Sequence, residues 1–421
     1  MTEATGQATQ AVIAAKAASR ELASATSDQR VAAIVAIADA LIARSDEILA
    51  ANALDLQAGE AAGLEPALID RLTLTTERVE AMADGARTVA HLEDPVGLEV
   101  DRQVLENGLK LRKVTRPLGV VCVVYEARPN VTIDSAVLCL RSANACVLRG
   151  STTAEHSNRV LATVASEAVA EAGLPAACVS LVQGGGRDEL RELGTANGLV
   201  DLIIPRGGEG LKKALETVAT VPVIYAAAGN CHVYVDASAD LGMAERIVIN
   251  AKVQRPGVCN AAESLLVHQS VAADFLPSAL AALQAEGVEL RCDGRAAALA
   301  GSGVTVVAAT DEDFATEFLA PVISIAVVDS LDAAIEHINA NGSGHSEAIV
   351  TADRTAANAF EDRVDAACIY VNASTRFTDG AVFGMGAEIG ISTQKLHARG
   401  PIGLRELTTI TYLVEGDGQI R

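Results

Sequence analysis

The sequence predicts an α/β protein with a Rossmann-type domain on a doubly wound parallel sheet, a second α/β domain and a β-hairpin arm. Apolar runs alternate with helical patterns from about residue 119 onwards, which is typical of parallel strands joined by helices. The dipeptide Asn107-Gly108 separates two segments of alternating polarity, as in a tight hairpin. The 421 residues exceed what one hydrophobic core usually holds, so more than one domain is expected.

The first hundred residues are predicted to be helical. Apolar side chains recur there at spacings of three and four, as expected for a helix that buries one face; they include Val31, Ile34, Val35, Ala38, Leu41 and Ile42. The hairpin that follows, at about 102–116, has no core of its own. We therefore expect it to dock on another subunit as an oligomerisation arm.

Short apolar runs mark the strands of both domains. The run at 119–125 is apolar on both faces, as in a buried parallel strand, and Pro129 suits the first turn of a helix through Leu140. We expect a nucleotide-binding domain at 1–230, a second α/β domain at 231–400 and a C-terminal oligomerisation segment at 401–421. The predicted strands are Gly119–Tyr125, Cys146–Arg149, Val179–Val182, Leu199–Ile204, Val223–Tyr225, His232–Val235, Ser264–His268, Val322–Val328 and Thr408–Val414.

Composition excludes several classes of function. The 33 basic and 54 acidic residues give a net charge of -21, which disfavours non-specific binding to nucleic acid. No apolar run is long enough to cross a bilayer, and no secretory signal pattern occurs, so we expect a cytoplasmic protein without membrane partners. The eight cysteines form no C-x-x-C pair and no group with zinc spacing, so no metal site is expected.

Two turns are candidates for chemistry. Cys259 lies on the turn Gln254–Asn260, where Pro256 and Gly257 follow a helical stretch. Arg255 on the same turn could favour the thiolate or take part in a surface ion pair.

No G-x-G-x-x-G sequence follows a strand, so another structural element must bind phosphate. The best candidate is the turn Pro205–Gly210, in which Gly207 and Gly208 precede a helix.

Three segments in a fixed order carry a family resemblance. Arg116–Thr132, Gln254–Glu263 and Glu317–Val322 resemble motifs of the aldehyde dehydrogenases, which implies an aldehyde dehydrogenase-like fold. The resemblance covers nearly the whole chain and implies that Cys259 is the nucleophile. It further implies that the Asn130 amide stabilises the oxyanion and that Glu317 contacts the nicotinamide ribose.

The same resemblance implies a nicotinamide cofactor. Arg149 matches a lysine near the adenosine ribose, and Thr152 stands where members that prefer NAD often carry an acid. An acid would repel a 2′-phosphate, whereas Arg149, Ser151 and Thr152 offer hydrogen-bond donors. We therefore expect NADPH rather than NADH; without the resemblance, an ordinary helix cap would explain these residues equally well.

The implied reaction is a reduction. Hydrolytic aldehyde dehydrogenases use a glutamate to activate water, but the matching stretch Tyr225–Asn230 contains no acid. In detail the segments resemble members that reduce acyl phosphates, which implies conversion of L-glutamyl 5-phosphate to L-glutamate 5-semialdehyde and phosphate in proline biosynthesis. Arg255, His345 and Arg376 lie in polar loops where the anionic groups of that substrate could bind.

Two other functions remain open from the sequence. An acylating aldehyde dehydrogenase that uses CoA would share the thiol and would also lack the hydrolytic acid. A non-catalytic nucleotide-binding scaffold would bind cofactor without turnover. A homo-oligomer is expected from the hairpin arm, and the lability of an acyl phosphate suggests transient contact with the glutamate 5-kinase that would supply it.

Overall fold

A computed structural model describes residues 6–184, 186–225 and 228–421 of the chain. These residues form two compact units that interrupt each other along the sequence. Unit 1 comprises 1–226, 384–390 and 402–421, and unit 2 comprises 227–383 and 391–401. The C-terminal residues 402–421 thus group with unit 1.

Unit 1 begins with helices, as predicted. The buried side of α2 consists of Arg30, Ala33, Ile34, Ile37, Ala38 and Leu41. The predicted face is therefore rotated, because Ile42 is exposed and Val31 and Val35 are only half-buried. The helices are α1 (Gln7–Leu22), α2 (Ser27–Ala43), α3 (Ser45–Ala61), α4 (Pro66–Leu72) and α5 (Thr76–His91).

A parallel sheet of four strands forms the centre of unit 1. Its order is β5-β4-β3-β6, and every residue of β3 is buried, as its apolar sequence predicts. The predicted fifth strand at 223–225 is wrong, because only an isolated bridge joins Val223 to Ile203. The elements are β3 (Val120–Tyr125), α6 (Asn130–Arg141), β4 (Ala145–Arg149), α7 (Glu155–Glu171), β5 (Val179–Leu181), α8 (Arg187–Gly194), β6 (Leu202–Arg206) and α9 (Glu209–Val218).

The hairpin arm is confirmed and has a third strand. β1 (Glu99–Val104) pairs antiparallel with β2 (Lys110–Pro117), and Gly108 turns between them at a φ of 84°, which glycine adopts without strain. β16 (Thr408–Glu415) then pairs with the whole length of β2. The hairpin arm and the C-terminal strand, which we expected as oligomerisation elements, therefore share one sheet within the chain.

Unit 2 contains a parallel sheet of seven strands in the order β10-β9-β11-β8-β7-β12-β13. The predicted strands His232–Val235, Ser264–His268 and Val322–Val328 are confirmed as parts of β7, β8 and β11. The strands are β7 (Cys231–Val235), β8 (Ala262–His268), β9 (Glu289–Cys292), β10 (Val307–Ala308), β11 (Val322–Val328), β12 (Ser346–Val350) and β13 (Cys368–Val371), with β14 (Ile391–Ser392) and β15 (Gly400–Pro401) paired separately. The helices are α10 (Leu241–Val253), α11 (Gln269–Ala285), α12 (Gly294–Ala297), α13 (Leu331–Asn341) and α14 (Arg354–Arg363).

Candidate active site

The candidate nucleophile lies on the turn between α10 and β8. Pro256 and Gly257 follow the end of the helix, and Cys259 on this turn is half-buried. Of the eight cysteines, Cys368 is the only other one that is not fully buried. Burial raises the pKa of Cys122 to about 12, so such core thiols stay protonated. Accessibility therefore restricts a reactive thiol to Cys259 and Cys368.

The segments around Cys259 meet at one edge of the seven-stranded sheet. β11, β8, β7 and β12 are consecutive parallel neighbours, so the residues that precede them lie side by side. These are the segments ending in Pro321, Ala261, Asn230 and His345. The site is thus built at the amino ends of the strands, whereas open α/β sheets usually bind ligands at the carboxyl ends.

Close backbone packing holds the nucleophile turn. The Cys231 thiol donates to the Cys259 carbonyl oxygen at 3.1 Å. A Cβ atom on Gly229 would overlap the Cys259 backbone, so only glycine fits there. The Gly229 N–H in turn donates to Glu317 Oε1 at 2.7 Å. The nucleophile and Glu317 are thus joined through one glycine.

Two predicted arginines lie near the thiol. Thr375 donates to the Asn260 carbonyl at 2.7 Å and Asn260 donates to the Thr378 carbonyl at 2.8 Å, which fixes the short 3₁₀ helix that carries Arg376. Burial lowers the pKa of Arg376, the charge of Arg255 lowers it further and the Cys259 thiolate opposes both effects. The two cations and the sulfur therefore share one electrostatic environment, which favours the thiolate.

His345 differs from its expectation. The polar sequence around it predicts a loop, but the side chain is fully buried, directly before β12. Its Nδ1 lies 2.8 Å from Ser346 Oγ and 3.8 Å from Cys231 Sγ. Burial lowers its pKa to about 4, so the imidazole is neutral near pH 7 and cannot attract an anion by charge. His345 is therefore a neutral neighbour of the nucleophile turn, and its buried Nε2 has no partner among the described residues.

Glu317 lies outside the short helix that precedes it. The 3₁₀ helix Asp311–Ala315 ends before it, and the side chain is half-buried. Burial raises the pKa of Glu317, whereas the Gly229 N–H and the charge of Lys252 lower it. The carboxylate is thus fixed by its partners.

A buried ion pair beside the site escapes sequence reasoning. Lys252 Nζ lies 2.5 Å from Glu263 Oε2, and neither side chain is exposed. Glu263 Oε1 also accepts from the Leu319 N–H at 3.3 Å. One sequence signal could have indicated this pair: Lys252 and Glu263 are each a charged residue within a largely apolar segment. Charged side chains that are buried are almost always paired.

Unit 1 holds Asn130 at the start of α6. The Asn130 amide donates to Asp134 Oδ2 at 2.8 Å, one turn along the helix. It is not a helix cap, because Pro129 occupies that position and no side chain caps the helix. An amide has two hydrogens, so one remains beyond the bond to Asp134. Asp134 thereby fixes the orientation of the predicted oxyanion donor.

The predicted cofactor residues lie around a cleft that follows β4. Arg149 is buried, and its guanidinium group donates a hydrogen bond to the Gly186 carbonyl at 2.9 Å. Ser151 and Asn158 line the cleft together with Arg159, and their Oγ and Nδ2 atoms are buried without a protein partner. Unsatisfied donors of this kind suit a polar ligand. Sequence reasoning missed Asn158 and Arg159, because both lie inside α7.

The predicted phosphate turn precedes α9. Gly208 is the N-cap residue of this helix, and its N–H donates to Glu126 Oε2 at 3.2 Å. Gly207 lies directly against the same carboxylate. The turn thus binds the carboxylate of the exposed Glu126 side chain. Binding of an anionic group is expected at a helix N-terminus.

The described residues offer neither a metal cluster nor a membrane-spanning helix. Within the residues described, no three His, Cys, Asp or Glu side chains are grouped to hold a metal ion. No helix in that part of the chain is long and apolar enough to span a membrane.

Comparison with known proteins gives a consistent family. The family model described as "Aldehyde dehydrogenase family" matches residues 2–289 and 279–388. Gamma-glutamyl phosphate reductase of Heliobacterium modesticaldum is 55% identical over 97% of this chain and 97% of its own length. The corresponding protein of Thermobifida fusca is 51% identical over 97% of each chain.

A solved structure agrees with these relatives. The crystal structure of gamma-glutamyl phosphate reductase from Thermotoga maritima superimposes with a TM-score of 0.96 at 43% identity, covering 99% of this chain and 100% of that one. Sequence and fold are thus similar over almost the whole length of both chains. The chain therefore belongs to the aldehyde dehydrogenase family and, within it, to the gamma-glutamyl phosphate reductases.

Proposed function

We propose that this chain reduces L-glutamyl 5-phosphate to L-glutamate 5-semialdehyde and phosphate, with NADPH as the reductant, in proline biosynthesis. As an aldehyde dehydrogenase it is an oxidoreductase that uses a nicotinamide cofactor. The observation that carries the proposal is the half-buried Cys259 thiol on its Pro-Gly turn, which interacts electrostatically with Arg376, itself close enough to Arg255 for their charges to interact. A thiolate beside two cations suits attack on an anionic acyl donor.

The first step is acyl transfer to the enzyme. The Cys259 thiolate attacks the acyl carbon, the bond to phosphate breaks and phosphate leaves with the electron pair, so that a thioester remains. In this proposal the Asn130 amide stabilises the tetrahedral oxyanion. One such donor lowers the activation barrier by roughly 3 to 4 kcal/mol.

The second step releases the aldehyde. When bound, the cofactor supplies a hydride to the thioester carbon. The resulting thiohemiacetal oxyanion re-forms its carbonyl and expels the Cys259 thiolate, which is ready for another cycle. The stretch 225–230 contains no acid that could activate water, so the thioester is spared from hydrolysis.

The residues around the β4 cleft support NADPH as the cofactor. The partnerless Ser151 Oγ and Asn158 Nδ2 offer donors to a ribose, and Thr152 is exposed beside them. Arg159 lines the cleft and offers a cation for a 2′-phosphate, in addition to the predicted Arg149, which donates to the Gly186 carbonyl. Arg159 pairs with Glu155 in the free protein and would exchange this partner for phosphate.

The hairpin arm supports a homo-oligomer. β1 and β16 are the two outer strands of their sheet, so each leaves an edge that pairs with no other described strand. Large apolar side chains are exposed along β16, with Tyr412 at 58% and Val414 at 55%. Exposed apolar strand edges usually associate, and a second copy of the chain offers the same surface.

Reversal of the reaction tests the proposal. Glutamate 5-semialdehyde, phosphate and NADP⁺ are supplied to the wild type and to Cys259→Ala, and absorbance of the reduced nicotinamide is followed. We expect NADPH formation that requires phosphate and is lost in the variant. Formation that requires CoA in place of phosphate would instead indicate an acylating aldehyde dehydrogenase. Absence of turnover in a folded protein that binds nucleotide would refute the enzymatic proposal.

A further inference from the structure

The buried pair Lys252–Glu263 lies where it can support two separate parts of the site. Lys252 lies in the last turn of α10 (Leu241–Val253), shortly before the nucleophile turn, and Glu263 is the second residue of β8 (Ala262–His268), shortly after it. Their ion pair of 2.5 Å closes this turn at its base. Both side chains are fully buried, so the pair is shielded from solvent and from salt.

The second oxygen of Glu263 reaches the segment that carries Glu317. It accepts the Leu319 N–H at 3.3 Å, and Leu319 has a φ of 52°, in the left-handed region. A leucine persists in that region only where its surroundings hold it, because the conformation costs on the order of 1 to 3 kcal/mol. The Leu319 side chain is 45% exposed, so little packing is available to hold it.

Glu317 is fixed at its own end by Gly229, whose N–H it accepts at 2.7 Å. The segment 317–319 thus has two polar anchors, one at Gly229 and one at Glu263. Lys252 acts on both carboxylates, since its charge lowers the pKa of Glu263 and of Glu317 against the effect of burial.

We infer that Lys252 and Glu263 are positioning residues, which hold the segment 317–319 so that Glu317 can bind the ribose at the nicotinamide end of the cofactor. This inference depends on the proposed function, which assigns that contact to Glu317. The pair touches neither substrate nor cofactor in this role. It acts through the Leu319 backbone and through the charge that it places beside Glu317.

The test compares two ligands that differ in the nicotinamide half. NADPH contains the nicotinamide ribose, whereas 2′,5′-ADP contains only the adenosine half with its 2′-phosphate. Affinities for both are measured by calorimetry on the wild type, on Glu263→Gln and on the double variant Lys252→Met/Glu263→Leu. The double variant removes both charges together, because an apolar replacement of a buried pair is often neutral for stability. Folding is checked by circular dichroism and melting temperature.

The matched control is Glu347→Gln. Glu347 is another buried carboxylate of unit 2, and it pairs with His232 at 3.0 Å instead of contacting 317–319. We expect NADPH to bind about tenfold more weakly to both Glu263 variants, as for other supporting contacts behind a binding group. Affinity for 2′,5′-ADP should remain that of the wild type, and the control should keep both affinities.

Three results would overturn the inference. These are unchanged NADPH affinity in the folded Glu263 variants, an equal loss for both ligands, and the same selective loss in Glu347→Gln. Wild-type turnover with glutamate 5-semialdehyde and phosphate is measured alongside. Its absence would refute the proposed function, whereas normal wild-type turnover with any of those three results would refute the positioning role alone.

Discussion

Gly229 allows a sharp test of how the nucleophile is held. Replacing Gly229 with alanine introduces a Cβ that would overlap the carbonyl group and Cα of Cys259. These are backbone atoms, so no flexible side chain can turn away, and the two segments must separate. The same change disturbs the 2.7 Å bond from Gly229 N–H to Glu317.

The expected effect on catalysis follows from the displacement required. Relief of so deep an overlap with the Cys259 carbonyl group needs a shift of about 2 Å, and a misplacement of about 1 Å at a reacting group can already reduce the rate about 10²-fold. That loss corresponds to about 2.7 kcal/mol in the activation barrier, at about 1.36 kcal/mol per tenfold change. We therefore expect Gly229→Ala to lower kcat by about two orders of magnitude.

Gly257→Ala is the matched control. Gly257 lies on the nucleophile turn itself, but a Cβ there would meet only the Leu319 carbonyl oxygen at 3.6 Å, an ordinary contact. Both changes replace glycine with alanine, so they alter the entropy of the unfolded chain similarly. We expect Gly257→Ala to keep nearly wild-type kcat.

The assay is phosphate-dependent NADPH formation from glutamate 5-semialdehyde, with kcat and KM determined separately. Melting temperature shows whether each variant is folded, and iodoacetamide labelling shows whether the Cys259 thiol remains accessible. An equal kcat in folded Gly229→Ala and Gly257→Ala would refute the argument that close packing at Gly229 places the nucleophile.

Three further predictions concern groups around the reaction. Asn130→Ala should lower kcat about 10²- to 10³-fold with little change in NADPH affinity measured by calorimetry, and an unchanged kcat would remove Asn130 from the oxyanion site. Burial raises the pKa of Asp134 from 3.8 to about 6, so its contribution to stability is complete below about pH 4 and is lost as pH rises through 6. Asp134→Asn should therefore gain stability over the wild type between pH 4 and 7 in urea unfolding, by about 1 to 3 kcal/mol, and a difference independent of pH would contradict this assignment. Arg376→Met should move the pH midpoint of Cys259 alkylation upwards by about one unit, after subtraction of Cys368 labelling in Cys259→Ala, and an unmoved midpoint would show that Arg376 does not support the thiolate.

Local sequence patterns predicted the elements whose formation depends mainly on residues adjacent in the sequence. The apolar run of β3, the alternation around Asn107-Gly108 and the apolar run of β11 each contain their own signal, and all three elements are confirmed. The run Val223–Tyr225 has a similar composition, but it forms only one bridge. Strand formation at that site depends on the partner offered by the sheet, which composition does not reveal.

The surroundings of the site were less predictable. The direction of the Arg149 side chain depends on the position of the Gly186 carbonyl, 37 residues away. The burial of His345 depends on the sheet neighbours of β12, although the local sequence is polar. The Lys252–Glu263 pair requires α10 and β8 to lie against each other, so only the tertiary structure reveals it. The family resemblance supplied roles for Cys259 and Asn130 but not their supporting contacts.

The pairing of β16 with β2 has a consequence for the growing polypeptide. Arg112 of β2 bonds to Glu415 of β16, 303 residues later in the sequence, and the segment that forms unit 2 is synthesised between them. During translation, the edge of β2 that pairs with β16 therefore stays unpaired until β16 has been synthesised. Unpaired strand edges of this kind promote aggregation. β2 carries Lys110, Arg112 and Lys113, and positive charges of this kind keep a waiting strand from joining that of another nascent chain. The basic character of β2 would thus protect the protein before it is complete.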